Sequence, residues 1–361
     1  MENKLSSYRG CLLGLAVGDA MGFPVDKKSW AEICEDYGPN GLLGYDLANG
    51  SADITSYTQM TAFLCNGLLL AAIRGSIDHY AKYMALSLRE WAKSQQFRGY
   101  TEKTACWLAQ VPGMRRRHCM DTRILDALNR DMLGTPEKPV FYSSNPTNIT
   151  NAIAVAMIYD PERMDPRQIG KLGAQAIAFT HGEEETFLAG AFVAYCLAAI
   201  LRSPETPLSK HYATAMNALQ AQYGEAYFQV DALLEKVNKA ISLAKDPELT
   251  PLAAMTILGC TTAAECVAGM VYATTIHPAN FDEALIVSVN HSGCSCAVGA
   301  LTGAVLGARL GEEALPEFYL ESLEPVEVLR ELAEDMTQAR QITRIFDDSW
   351  DQKYVQGLPA H

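Results

Sequence analysis

Glycine recurs at every fourth residue in two places: Gly10, Gly14, Gly18 and Gly22 near one end, and Gly299, Gly303, Gly307 and Gly311 near the other. Residues four apart form a slanted ridge on a helix, so each set is a stripe without side chains, along which a second helix can approach closely. Two such helices from opposite ends of the chain predict a tightly packed central pair. Bringing them together favours one domain over 1–361, with a core of about 8–345, although 361 residues would permit two. The late stripe is entered through His291-Ser292-Gly293-Cys294-Ser295-Cys296-Ala297. A turn of small residues feeding a helix N-terminus presents unpaired backbone N–H groups and a positive dipole end, a natural place for an anion.

Nearly every patterned segment has helical period. Apolar spacing predicts helices over 8–21, 57–74, 79–93, 122–132, 147–159, 166–178, 183–201, 209–223, 229–244, 262–275, 281–289, 297–310 and 326–339. Asp121, Asp165 before Pro166, and Asp78 stand as caps ahead of three of them. Convincing period-two alternation is absent. The expected fold is all-α, a compact multi-helix bundle. The breaks at 134–139 and 203–207 have the length of ordinary helix connections.

The net charge of −13 argues against nucleic acid or an anionic membrane as main partner. The one basic run, Arg115-Arg116-Arg117-His118, reads as a solvated loop or helix end, with contact to a phosphate as the alternative. The start, Met1-Glu2-Asn3-Lys4, lacks the basic region of a secretory signal. A cytoplasmic location is therefore expected, with the ten cysteines reduced. The longest uncharged apolar run, 187–201, falls short of the roughly 18–20 residues of a membrane span and reads as a buried core helix.

The residues also resemble a known family. The opening, Gly10 through Gly14, Gly18-Asp19-Ala20-Met21-Gly22 and Pro24-Val25-Asp26, is similar to the first motif of the ADP-ribosylglycohydrolase family. Thr55-Ser56-Tyr57-Thr58-Gln59-Met60 occupies the place of that family's metal-binding Ser/Thr-Asp-Asp-Thr-Gln-Met motif. Thr180-His181-Gly182 resembles its Thr-His element, Gly259 through Ala264-Glu265 its Gly-x-x-x-x-Ala-Glu helix start, and 291–311 its closing Gly-Asp-x-Asp-Thr motif and glycine helix. The resemblance runs over about 8–345. It implies an orthogonal bundle of many helices with an ADP-ribose cleft between the first and last motifs, and a pair of Mg²⁺ ions held by Ser/Thr and Asp side chains.

Several motif positions depart from that pattern. Thr55 remains, but Ser56 and Tyr57 stand where the family has paired carboxylates, and Cys294, Cys296 and Ala297 replace the late ligands. Mg²⁺ wants hard oxygen donors in octahedral geometry, which a phenol and two thiols do not supply. The Tyr57 ring would also fill the volume of a metal and its waters. Two cations and four carboxylates lost together leave the local formal charge unchanged, so the site reads as converted. The segment 144–151 replaces a Gly-rich loop that ends in Met-Arg in the family. No metal cofactor is therefore expected; Zn²⁺ on Cys294, Cys296 and His291, with Cys65, Cys260 or Cys266 adding ligands, is the alternative.

Asp26 aligns with the family's acid near the scissile bond and is the candidate catalytic residue, the other reading being a turn residue before Lys27 and Lys28. Thr55, Ser56, Thr58 and Ser295 form a candidate metal-free polar cradle, with Tyr57 either stacking on a base or filling the core. Gly293, Cys294 and Cys296 complete the candidate ligand site as a turn of small residues; a thiol nucleophile with His291 as base is the alternative. His181 either lines the cleft or serves as a cap or core histidine. The expected function is a pseudoenzyme that binds an ADP-ribose-like or nucleotide-sugar ligand, or an ADP-ribosylated protein. A diverged glycosidic-bond hydrolase and a structural protein reusing the bundle are the alternatives.

Overall fold

The computed structural model describes residues 2–48, 50–74, 79–96, 106–118, 121–339 and 348–357. Its first third carries α1 (Glu2–Gly22), α2 (Trp30–Tyr37), α3 (Ser56–Ile73), α4 (Tyr80–Gln96) and α5 (Thr122–Leu128). The middle carries α6 (Asn151–Ile158), α7 (Pro166–Ala178), α8 (Glu184–Arg202), α9 (Leu208–Tyr223) and α10 (Gln229–Leu243). Then follow α11 (Pro251–Leu258), α12 (Ala263–Ile276), α13 (Phe281–Val289), α14 (Ser295–Leu310), α15 (Glu317–Glu321) and α16 (Val326–Gln338). Among the described residues β-pairing is limited to isolated bridges, such as Ala52 with Leu323. The fold is all-α, as expected.

The two glycine stripes meet. Gly10 faces Gly307, Gly14 faces Gly303, Gly18 faces Gly299 and Gly22 faces Ser295. A Cβ at any of these glycines would come within 3.0 Å of backbone atoms of the opposite helix. Each step of four along α1 is thus matched by a step of four back along α14, and the pair runs antiparallel in one register. Around it the buried apolar side chains join into one cluster that reaches from Tyr8 to Tyr354.

Local chemistry sets most helix ends. Asp121 accepts from Arg123 N, and Asp165 makes a capping box with Gln168 ahead of Pro166. Asp78, the third expected cap, lies outside the described residues. Three helices lie outside the expected set, α2, α11 and the five-residue α15, and the first two carry clear signals. Ser29 and Glu32 form a capping box on α2; Thr250, Pro251 and a left-handed Gly259 bracket α11.

The expected helix 147–159 is shorter in the structure, because its first residues use their side chains elsewhere. Asn145 Oδ1 accepts from Thr147 N at 3.0 Å, Asn148 Nδ2 donates to Ile177 O at 2.9 Å, and Thr150 Oγ1 donates to Tyr57 O at 2.9 Å. The expected 122–132 likewise stops at Leu128. The apolar run read as 187–201 extends to 19 residues as α8, enough by length and composition to cross a membrane, but 83% of it is buried among the other helices. Its apolar surface is spent on the core.

Candidate functional site

Two carboxylates of the first segment sit on the N-termini of two other helices. Asp19, buried in the apolar interior of α1, receives four hydrogen bonds from the start of α3. Thr55 N and Oγ1 donate at 2.8 and 2.6 Å, and Thr58 N and Oγ1 at 3.2 and 2.6 Å. Burial outweighs these donors and holds the Asp19 carboxyl above its ordinary range. Thr55, the remaining family-like ligand, therefore has its hydroxyl directed at Asp19. Asp19 was not singled out from sequence; a charge inside an otherwise apolar stretch was the available signal.

Past α1 the chain turns through a short 3-10 segment, Phe23–Val25, and places Asp26 against the glycine helix. Asp26 Oδ1 accepts from Cys296 N in the first turn of α14 at 3.0 Å. The anion expected at that helix N-terminus is thus supplied by the protein itself. Burial raises the Asp26 carboxyl to about 6, against the lowering effects of the Cys296 N–H and Lys27. Asp26 is both a turn residue and a candidate acid–base group, so the two readings coexist in one side chain.

Lys27 follows with a left-handed backbone, φ 63°, and its N–H donates to Gly293 O at 2.8 Å. Cys260, at φ 55°, is the other left-handed non-glycine residue among those described, and its carbonyl accepts from Cys294 N at 2.8 Å. Two strained residues therefore grip the 293–294 turn from either side.

The thiol cluster that the zinc alternative would need forms only in part. Cys266 Sγ approaches Cys260 O at 3.4 Å, close to Cys294, whose Sγ lies 3.6 Å from Thr261 O. Burial pushes the Cys260, Cys266 and Cys296 thiols up, which disfavours thiolate. Cys65 is grouped with Cys11 instead. Among the described residues no three His, Cys, Asp or Glu side chains are grouped so as to hold a metal ion. Tyr57 is fully buried near Asp26, Cys294 and Cys296, and burial keeps its phenol protonated. It occupies the core.

Both candidate histidines are buried, and burial lowers each to about 4, so both are neutral at physiological pH. His181 shares Nδ1 with Thr180 Oγ1 at 2.9 Å and leaves Nε2 without a partner among the described residues. His291 donates from Nε2 to Ser288 O at 2.9 Å, and its Nδ1 has no partner among the described residues. Ser56 Oγ is also buried and has no partner among the described residues, whereas Ser295 Oγ donates to Val289 O at 2.8 Å.

Above these groups opens a cleft of about 610 Å³. Lys27, Ser292, Gly293 and Cys294 contribute to it, as do 142–145 and the single residues Arg123, Glu183 and Thr261. Of the candidate ligand residues, Gly293 and Cys294 line this cleft; Thr55, Tyr57, Thr58, Ser295 and Cys296 form buried layers. The loop 142–145 is held by Ala263 N donating to Ser144 O at 2.8 Å and Thr186 Oγ1 to Ser143 O at 3.1 Å. Arg123 grips Asp121 with a two-pronged contact at 2.9 and 2.7 Å. Lys27 makes no ion pair among the described residues.

The basic run 115–118 is used internally. Arg116 pairs with Asp53 and, at 2.8 Å, with Glu324; Arg117 donates to Gln96 O at 2.6 Å. His118 Nδ1 lies 3.0 Å from Ile54 O.

Comparison with known proteins agrees with this architecture. No curated protein matches the chain. The solved structure of an ADP-ribosylglycohydrolase-related protein complex is similar to it, with a TM-score of 0.58 and 19% sequence identity over 95% of this chain and 100% of the other. At that identity the likeness shows the fold. The sequence model of ADP-ribosylglycohydrolase matches residues 1–345, nearly the whole length, and the chain belongs to the ADP-ribosylglycohydrolase family.

Proposed function

We propose that this protein is a pseudoenzyme of its family, one domain that binds an ADP-ribose-like or nucleotide-sugar ligand, free or attached to a protein, without Mg²⁺-dependent hydrolysis. One observation carries the reading: Thr55, the one family-like ligand kept in the metal motifs, and Asp26, the acid that aligns near the scissile bond, already have partners within the protein. Asp26 caps α14 through Cys296 N, and the Thr55 hydroxyl donates to Asp19. Around them stand a buried phenol and two thiols, a donor set that does not suit Mg²⁺.

The cleft supports binding on its own terms. Lys27 offers a charge for an anionic group, and Ser143, Ser144, Asn145, Thr261 and Ser292 offer hydroxyl and amide groups that suit ribose. Calorimetric titration with ADP-ribose in excess chelator is expected to show saturable binding that added Mg²⁺ leaves unchanged. An ADP-ribosylated peptide incubated with protein and Mg²⁺ is expected to stay intact. Mg²⁺-dependent release of ADP-ribose would sink the pseudoenzyme reading, and absence of binding would sink the ligand.

A second reading, a hydrolase using a thiol, draws on the presence of Cys294 in the cleft. It requires turnover that Cys294→Ser abolishes.

Lys27 offers a separate check. A left-handed non-glycine residue costs about 1–2 kcal/mol, part of which glycine returns through the entropy of the unfolded chain. Lys27→Gly is expected to stabilise the fold slightly, by about 0.5 kcal/mol, while weakening ADP-ribose binding several-fold. Thermal melts and titration of the same variant measure both. Unchanged affinity would remove Lys27 from the site.

A further inference from the structure

On another face, α7, α8 and α9 enclose a second cleft of about 480 Å³. Its apolar side is made by Ile169, Tyr195 and Ala198, all buried, with Ala199 beside them. Tyr159 lies at its edge with the Arg202 guanidinium 6.0 Å above its ring. The charged groups that line it are Arg202 and Lys210, with His211 at the start of α9.

The charge pattern departs from the rest of the molecule. The chain has 42 acidic against 29 basic residues. Yet no Asp or Glu lines this cleft, whereas Glu183 lines the first one. Neither Arg202 nor Lys210 forms an ion pair with a carboxylate among the described residues. Acids lie near it without lining it: Asp165 caps α7 and accepts from Arg167 N at 2.7 Å, Asp160 beside Tyr159 accepts from Glu162 N at 3.0 Å, and the exposed Glu205 stands near His211. His211 Nε2 is taken by Ser203 O at 3.1 Å. Burial lowers its basicity, so it adds hydrogen-bonding capacity and not charge. Tyr195, which burial raises to about 12, stays neutral as well.

We infer that this cleft is a second ligand site for a small amphipathic anion: a compact aromatic or branched aliphatic carboxylate, its apolar body against Ile169, Tyr195 and Ala198 and its carboxylate between Arg202 and Lys210. Two cations in an otherwise acidic surface select the charge, and the aromatic and alanine floor selects the body. The site is independent of the ADP-ribose reading.

The probe is 1-naphthoate, with its neutral amide 1-naphthamide as control, titrated by calorimetry into the full chain. Saturable binding of one equivalent of naphthoate is expected, with the amide markedly weaker. The double variant Arg202→Gln/Lys210→Gln, both sites exposed, is expected to bind naphthoate about tenfold less tightly while leaving the amide unaffected. Ala199→Trp, which fills the cleft, is expected to abolish binding; circular dichroism melting confirms its fold, and the charge variant serves where it does not fold. ADP-ribose binding is expected to be the same in all three proteins. Naphthoate that fails to saturate at millimolar concentration, or that binds parent and charge variant equally, would overturn the site. Failure of ADP-ribose alone would count only against the first cleft.

Discussion

Gly303→Ala is expected to cost about 3–5 kcal/mol and to leave little folded protein at physiological temperature. The added methyl group would collide with the backbone of Gly14, and backbone has no rotamer by which to yield. Relief requires moving α1 and α14 apart along a contact that Gly10, Gly18 and Gly22 also form closely, so the loss is shared by the whole central pair. Gly44→Ala is the control. Nothing lies within 4 Å of a Cβ there, and its effect is expected to stay within about 0.5 kcal/mol. Denaturant unfolding of both variants decides the matter. Equal stabilities would mean that the two helices do not touch through their glycines.

Asp26→Asn is expected to stabilise the fold at neutral pH. Burial raises this carboxyl to about 6 in the folded protein, against an unfolded value near 3.9. Between those values the folded state holds the proton more tightly, so stability is fully present below about pH 4 and falls as pH rises through about 6. A shift of about two units corresponds to about 3 kcal/mol lost at pH 7. Asparagine keeps an oxygen that accepts from Cys296 N, and it removes the charge. Its advantage is expected to reach about 3 kcal/mol at pH 7 and to vanish near pH 4. Urea melts across that range test it, and parallel pH profiles of parent and variant would refute it. A half-buried charge kept at such a cost to stability is characteristic of a position under functional constraint, which is why Asp26 remains the candidate reacting or ligand-orienting group beside the cleft.

Much of the scaffold was legible in the chain. The glycine spacing announced the central pair and its close approach, because four-residue spacing is a property of the helix itself. Capping residues such as Asp121 and Asp165 placed helix starts from neighbours two or three positions away. The same local logic would have found α2 and α11. The late motif also announced a helix N-terminus suited to an anion.

The identity of that anion was a tertiary matter. Asp26 and Cys296 N stand 270 positions apart, and Asp19 meets Thr55 across 36. No local rule predicts such pairings. Depth was equally hidden: Tyr57, His181 and His291 carry groups that suit a ligand, and packing buries all three. The cleft draws instead on Lys27, Arg123, 142–145 and Thr261, exposed or half-buried residues of separate segments. Helix formation and pairing follow from short-range periodicity, so the sequence alone determined the all-α scaffold and its central glycine contact. Only the tertiary structure decided which side chains face solvent and which acid lies on which helix end, because burial and long-range contact depend on all the helices packing at once.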